Sequence, residues 1–478
     1  MNLEDMLYPM LGFYWSSPNW IKNSVGRAYS WIPPSWSRGR HYARFADEAA
    51  LSDAGAIRQL SMRKLAATLR SALESVPAYQ GYRHLLSRLD SPLDALRELP
   101  LISKDDIKRN LSDFRSRAVP SSLGLKTATG GSTATPMVFY LHKGVTRAKE
   151  YAFMDEFHRR AGLNGNEVVL ALRGRTVASA KREGGALWMY EPIKRQLIMS
   201  CDHLERAYMP AYIDAIRAWK PAYIQAYPSA VYPLARWLKE NPAPDITQAI
   251  RGVMLYSENV LDHHMELLQD VFSCPVLKHY GHSERVLMAA SMSGDERYFF
   301  WPQYGHFELV DDADNPIEEP GVLGEIVGTS FDNQAMPFIR YRTGDMAVLS
   351  GAPHPLLPGF PAIERIEGRR QEFLVCRDHR VIAVCGMGAA HSSALSVVDS
   401  MQFEQKRPGH FLIKVVVPQP LSPEMRQQIV SNMEHKTQGG CTAELVEVAE
   451  IPRTKRGKHQ LLIQHLDVSR YLGVPVQE

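Results

Sequence analysis

Thr127-Ala-Thr-Gly-Gly-Ser-Thr-Ala-Thr-Pro136 is the stretch whose reading decides the fold of this chain. Its ten residues hold four threonines, one serine and two adjacent glycines, and a proline closes it. Hydroxyls and glycine-permitted turns let O–H and amide N–H groups converge on an anion such as a polyphosphate. The flanks predict strands, Leu123 to Ala128 and Met137 to Leu141, so the loop joins two strands and opens no helix. It lacks the Gly-Lys-Ser/Thr ending of a P-loop, which argues against a nucleotide triphosphatase of that kind. Taken alone, an ordinary polar hairpin loop explains it equally well, and the rest of the chain has to decide.

C-terminal to the loop, apolar periodicity predicts a helix over Val145 to Arg160 and a strand over Glu167 to Leu172. Helices at Ala207–Trp219, Ser229–Lys239 and Asp262–Phe272 then alternate with strands at Ala222–Ala226, Val253–Tyr256 and Val276–Tyr280. Such alternation implies a doubly wound α/β sheet with ligands at the carboxyl ends of its strands. Five further strands are expected: Tyr298–Trp301, Phe307–Val310, Gly324–Thr329, Phe338–Tyr341 and Met346–Leu349. With their Gly and Pro turns they predict an antiparallel subdomain. Beyond Gly368 the pattern resets to a small α+β unit, with strands at Phe411–Val417 and Leu445–Val448. Between them Ser422 caps a helix that has Pro423 at its first position. The expected division is an N-terminal core over 1–367 and a C-terminal lid over 368–478, the core carrying a Trp- and Pro-rich arm over 1–45. N-terminal to the loop, Ile57 to Leu73 is an amphipathic helix, and Ser103 caps one that begins at Lys104.

Composition excludes several classes. Of 478 residues 45% are hydrophobic, and 55 basic against 52 acidic residues leave a formal charge of +3 without charged blocks. Neither a nucleic-acid groove nor a basic membrane face follows from that balance. No apolar run approaches the ~18 residues of a membrane span. The acidic N-terminal stretch MNLEDMLYPMLGFYW does not resemble a signal peptide. The five cysteines are widely spaced, which fits free thiols and a cytoplasmic setting.

Three more stretches carry chemistry. Tyr280-Gly-His-Ser-Glu284 offers an aromatic face for a base and a carboxylate for a divalent cation. Tyr341-Arg-Thr-Gly-Asp345 puts a carboxylate after a strand and a Gly turn, suited to a ribose diol. Pro452-Arg-Thr-Lys-Arg-Gly-Lys458 is a basic turn, in most proteins a solvated loop. In this order, with Gly368-Arg369 between the last two, the set resembles the adenylate-forming superfamily of acyl-CoA synthetases, adenylation domains and luciferases. Within it the chain resembles the phenylacetate–CoA ligase family, and there the branch named for capsular-polysaccharide biosynthesis. Leu99–Ile107, Tyr227-Pro-Ser229, Tyr280–Arg285 and Asn333–Asp345 carry the narrower likeness, which runs from about residue 95 to 460.

The resemblance implies a large N-terminal domain, a mobile C-terminal lid, and ATP-dependent activation of a carboxylic or amino acid as an acyl-adenylate. It matches Thr129, Gly130, Gly131, Ser132 and Thr133 to the loop around the β- and γ-phosphates. Tyr280, with Gly281 beside it, matches the residue stacking on adenine, and Glu284 the Mg²⁺ ligand. Asp345 matches the ribose carboxylate and Arg369 an arginine near the ribose and phosphates. Lys458 matches the lid lysine that bridges the acid and the α-phosphate. Tyr227 and His282 are candidates for the acid pocket, against the plainer alternatives of a core aromatic and a structural histidine. His263 and His264 are expected at the surface rather than on a metal, and Cys385 buried rather than nucleophilic.

Departures from the pattern bear on the second step. Ala134 stands where the family usually has Gly, and Arg370-Gln371-Glu372 replaces the usual pair of aspartates at the hinge. His379 to Gly388 has no match to the thioester-forming segment. Acyl transfer to an acceptor is the first expectation, for which the name of the resembled branch suggests an amine or hydroxyl in polysaccharide or specialised-metabolite tailoring, with a coenzyme A ligase second. Transfer of AMP itself, and a nucleotide-binding scaffold without catalysis, are the remaining alternatives.

Overall fold

The computed structural model describes residues 14, 17, 19–129, 137–163, 165, 167–173, 177, 187–201, 204, 206–369, 373–384, 397–437, 439–452 and 459–471. Strands β1 (Gly124–Ala128) and β2 (Val138–His142) pair antiparallel on either side of the Thr/Gly loop, from Gly124 against His142 to Ala128 against Val138. The loop residues Gly130 to Thr133 lie outside the described residues.

The body is one twelve-stranded mixed sheet. Its parallel half comprises β3 (Val169–Leu172), β5 (Gln196–Met199), β6 (Tyr223–Ala226), β7 (Gly252–Tyr256) and β8 (Val276–Gly281), with β4 (Trp188–Glu191) antiparallel at the edge. Beyond β8 every pairing is antiparallel, through β9 (Met288–Met292), β10 (Asp295–Phe300), β14 (Ala362–Arg369), β13 (Tyr341–Leu349), β12 (Leu323–Ser330) and β11 (Gly305–Val310). The expected antiparallel subdomain is thus continuous with the doubly wound part, joined where β8 turns back into β9.

Near-continuous apolar strands explain the layering, because a parallel sheet is covered on both faces. Val253 and Leu255 of β7 face a core shared with helices Met209–Trp219, Pro228–Glu240 and Asp262–Phe272. Met254 and Tyr256 face the opposite core, with Phe153 and Phe157 of helix Thr146–Arg160 and Phe45 of helix Tyr42–Ala49. The arm packs here too: Tyr42 donates to Asp155 at 2.6 Å and Tyr14 to Glu191 at 2.8 Å.

The C-terminal part has its own four-stranded sheet, ordered β19 (Thr442–Glu447), β18 (His410–Val416), β17 (Ser400–Arg407) and β20 (Leu462–Gln464). The short hairpin β15 (Phe373–Val375) and β16 (Val381–Ala383) precedes it. Helix Pro423–Lys436 covers this sheet, and Ser422 caps it by accepting from the Met425 amide.

One expectation of local structure fails. Phe338–Tyr341 and Met346–Leu349 are not two strands. Arg340 takes a left-handed φ of 46°, so the strand begins only after it, at Tyr341. The strand then runs unbroken to Leu349 through Gly344, whose φ of +80° is a conformation that glycine adopts without a Cβ penalty.

Candidate active site

The change from parallel to antiparallel pairing creates the site. At the end of β8 the chain turns through His282 to Arg285, closed by the Arg285 amide donating to the His282 carbonyl at 3.0 Å. Arg285 has a φ of 55°. This turn buries Glu284, only 3% exposed, against β13. There the Tyr341 hydroxyl, itself fully buried, donates to Glu284 Oε1 at 2.7 Å.

A second pair runs alongside. The Tyr280 hydroxyl donates to Asp345 Oδ2 at 2.9 Å. Burial first, and then the neighbouring carboxylates, push both phenols well above the usual tyrosine range. Each hydroxyl therefore keeps its proton and serves as a donor. Two carboxylates and two phenols thus form one wall, assembled from the β8–β9 turn and the middle of β13.

The bulge of β13 sets the height of Asp345. The register of β13 against β12 shifts between Glu325 and Val327. Glu325 accepts from the Gly344 amide at 3.1 Å and pairs with Arg342. The Thr343 hydroxyl accepts from the Asp345 amide at 3.1 Å and donates to the Ile326 carbonyl at 2.8 Å. Asp345 stands inside the strand, not after it as the sequence suggested. Its partner across the ladder is Arg369, so the sheet brings these two candidates side by side in backbone register.

The other candidates divide. The Thr129 amide donates to the Met137 carbonyl at 2.9 Å, and its hydroxyl accepts from the Met137 amide at 3.0 Å. That closes the base of the Thr/Gly loop, and among the described residues the hydroxyl proton has no acceptor. Tyr227 is buried at the start of helix Pro228–Glu240, among the core residues of that face. Both ring nitrogens of His282 are buried without a hydrogen-bond partner among the described residues, and its ring lies 5.8 Å from that of Tyr280. Lys458, Gly130, Gly131, Ser132, Thr133 and Cys385 lie outside the described residues.

His264 is a correction: it is buried, not at the surface. Its Nδ1 accepts from the Leu261 amide at 3.3 Å, so the side chain folds back to cap its own helix and packs against Tyr232.

His279 was missed. A Cβ on Gly281 would stand 2.9 Å from its Cε1, so the glycine makes room for the folded-back imidazole. Its Nε2 is buried without a partner among the described residues. Burial, and then the Arg173 guanidinium, hold its pKa at about 3. The period-two alternation of β8 was the available signal, since it puts His279 on the face opposite Tyr280.

Among the described residues no three His, Cys, Asp or Glu side chains cluster to form a metal cage. A single buried carboxylate ligand such as Glu284, with Asp345 nearby on the same wall, suits a Mg²⁺ ion held mainly by water and substrate phosphates.

Residues 374–465 match the CapK C-terminal domain family. Over 378 residues the chain is 23% identical to protein CapK of Staphylococcus aureus, covering 78% of this chain and 80% of that one. It is 24% identical over 340 residues to the phenylacetate–coenzyme A ligase of Pseudomonas putida, covering 69% and 74%. The chain is thus similar to CapK and to the phenylacetate–coenzyme A ligases, and its C-terminal residues match the CapK family. Its fold is that of a 2-hydroxyisobutyryl-CoA ligase solved with an acyl-adenylate in the postadenylation state. The TM-score is 0.66 at 17% identity, over 93% of this chain and 96% of the other. No helix among the described residues is long and apolar enough to cross a membrane.

Proposed function

We propose that this CapK-like chain is an ATP-dependent ligase that activates a carboxylic or amino acid as its acyl-adenylate and passes the acyl group to an acceptor. The observation that carries it is the wall of Tyr280–Asp345 and Tyr341–Glu284 at the end of β8, in a fold shared with adenylate-forming enzymes. Residues 1–367 are the core in this reading, and 368–478 a lid that closes over it.

Each residue has a task set by its chemistry. Tyr280 and Gly281 lie beside the adenine, and Asp345 takes the ribose diol. Thr129 to Thr133 donate to the β- and γ-phosphates. Glu284 would hold Mg²⁺, which would supply charge neutralisation for the polyphosphate. Arg369 and Lys458 face the α-phosphate. An oxygen of the substrate carboxylate forms the new bond to the α-phosphorus while the bond from that phosphorus to pyrophosphate breaks. Catalysis of this displacement is positioning and charge stabilisation, and no base is needed because the acid is already ionised at neutral pH. Closure of the lid excludes water that would hydrolyse the mixed anhydride. Tyr227 and His282 are offered to the acid.

An amine or hydroxyl is the first acceptor proposed. Coenzyme A is the second reading, favoured by the likeness to a phenylacetate–coenzyme A ligase. The test is pyrophosphate release from ATP and Mg²⁺ over a panel of carboxylic and amino acids, with and without coenzyme A. Acid-dependent release, a hydroxamate trapped by hydroxylamine and loss of both in Lys458→Ala are expected. Acid-independent ATP binding with no release across the panel overturns adenylation. Release that depends on coenzyme A and yields a thioester selects the second acceptor.

A further inference from the structure

Two polar contacts outside the wall join the large sheet to the C-terminal part, and both start from helix Pro228–Glu240 or the residue facing its first turn. Glu258 stands just beyond β7, where Ser257 takes a left-handed φ of 64°. The Glu258 amide closes that turn onto the Tyr256 carbonyl at 2.9 Å. Its carboxylate accepts from the Ser229 amide and the Ser229 hydroxyl, both at 3.1 Å. It also accepts from the backbone amide of His459 at 2.8 Å, 201 residues further along the chain. His459 is fixed in turn by its ring, which bonds to the Met401 carbonyl in β17 at 2.8 Å. The residue before His459 is Lys458.

The second contact lies further along the same helix. Arg236 Nη1 donates to the Val398 carbonyl at 2.7 Å and to Asp399 Oδ1 at 2.9 Å, at the entrance to β17. Its side chain is only 12% exposed. One contact thus grips the segment beside the lysine, and the other grips the strand on which that segment rests.

We propose that Glu258 and Arg236 are positioning residues, a two-point clasp that holds the C-terminal part where Lys458 reaches the α-phosphate. This rests on the proposed adenylation chemistry. Neither side chain touches a reacting atom, and both act through the backbone that carries the lysine. Ser257 takes a left-handed φ without being glycine, and the carboxylate that follows it crosses between the two parts. Both contacts are polar, and among the described residues the apolar contact between the two parts is a small cluster of Met346 with Phe373, Val375 and Val468, so the parts can separate when the lid must move for acyl transfer.

The experiment compares Glu258→Ala, Glu258→Gln, Arg236→Ala and the double variant as full chains. Hydrogen exchange is read over 398–401 and 459–464, with ATP and Mg²⁺ present. Each alanine variant is expected to raise exchange there by about tenfold and the double variant by about a hundredfold, as for independent hydrogen bonds to charged groups. Exchange within β7 and β8 stays at the wild-type level, which shows that the variants fold. In pyrophosphate release, kcat falls by similar factors while KM for ATP and acid holds. Glu258→Gln, which still accepts from the His459 amide, recovers part of the rate. Unchanged exchange overturns the clasp, and raised exchange with unchanged kcat overturns its positioning role. If the wild type releases no pyrophosphate with any acid, adenylation falls by itself, and the exchange measurements still decide whether the clasp exists.

Discussion

Replacing Tyr341 with Phe removes one oxygen from the wall and leaves its shape. The ring still packs edge-on against Phe338, with centroids 5.0 Å apart. What is lost is the 2.7 Å hydrogen bond to Glu284 Oε1, between two buried partners. A hydrogen bond to a charged group contributes about 1.5–3 kcal/mol, and a buried carboxylate deprived of it keeps its desolvation cost. The unliganded core therefore loses stability in that range, read as a lower urea midpoint by tryptophan fluorescence. Function shifts separately, because Tyr341 orients the carboxylate proposed to hold Mg²⁺. Loss of a partner that orients a metal ligand typically weakens binding by about 10–100-fold. At saturating ATP, the Mg²⁺ concentration for half-maximal pyrophosphate release rises by that factor, while the rate at saturating Mg²⁺ falls far less. If the urea midpoint drops and the Mg²⁺ requirement stays within about twofold, the hydroxyl is structural and Glu284 is not the metal ligand. No drop in stability refutes the charge-assisted bond itself.

Other expectations follow from the same structure. Asp345→Ala raises KM for ATP by about 10–100-fold, the value of a hydrogen bond to a charged group. The variant also loses discrimination between ATP and 2′-deoxy-ATP, and equal discrimination in both proteins contradicts a ribose contact. His158 bonds to the Tyr256 hydroxyl at 2.9 Å, and burial, then the Arg173 charge, holds its pKa at about 3. Below pH 6.5 the unfolded chain takes up a proton that native His158 refuses until about pH 3, so stability falls with pH across that window, by at most about 1.4 kcal/mol per unit. His279 and His306, lowered to about 3 and about 4, add to the same slope, so His158→Gln is expected to reduce it by one residue's share, read from urea midpoints at about pH 7 and about pH 5. Lys149 donates to the carbonyls of Tyr304 and Phe331, both at 2.8 Å, from a fully buried position. Lys149→Met leaves both carbonyls unsatisfied and costs about 2–6 kcal/mol at about 1–3 kcal/mol for each buried acceptor, so an unchanged thermal midpoint refutes the account of Lys149 as their shared donor.

Much of this architecture was legible because it is written in local terms. The helix over Asp262–Phe272 was read to the residue, and Ser103 caps the helix that begins at Lys104 as expected, where Asp106 completes a capping box that the reading did not include. The apolar runs of the parallel strands announce burial on both faces. β13 was misread as two strands because a positive φ carries no sequence signal at an arginine. Arg340 is held left-handed by its surroundings: its guanidinium meets Glu308, and its amide donates to the Thr329 hydroxyl. His264 was misplaced for the same reason, since a histidine that caps its own helix is polar in sequence and buried in space. Glu258 is a single acidic residue in Ser257-Glu-Asn259, and only the fold shows that it faces a segment 201 residues away.

The order of the motifs was readable while their pairing was not, and the pairing has a consequence for charge. Glu284 and Asp345 share one wall, and the two phenols beside them remain neutral donors. Without a cation that wall would meet the triphosphate as like charge against like charge. In the proposed function Lys458 compensates only after the lid closes, so in the open state the divalent ion carries the burden. ATP binding is therefore expected to be coupled to Mg²⁺ in the core itself. Titration of ATP in EDTA is expected to show affinity at least about tenfold weaker than with Mg²⁺, with the gap shrinking in Glu284→Gln, where one negative charge is gone. Equal affinity with and without the ion in both proteins means that the triphosphate does not approach this wall, and the proposed site is then wrong.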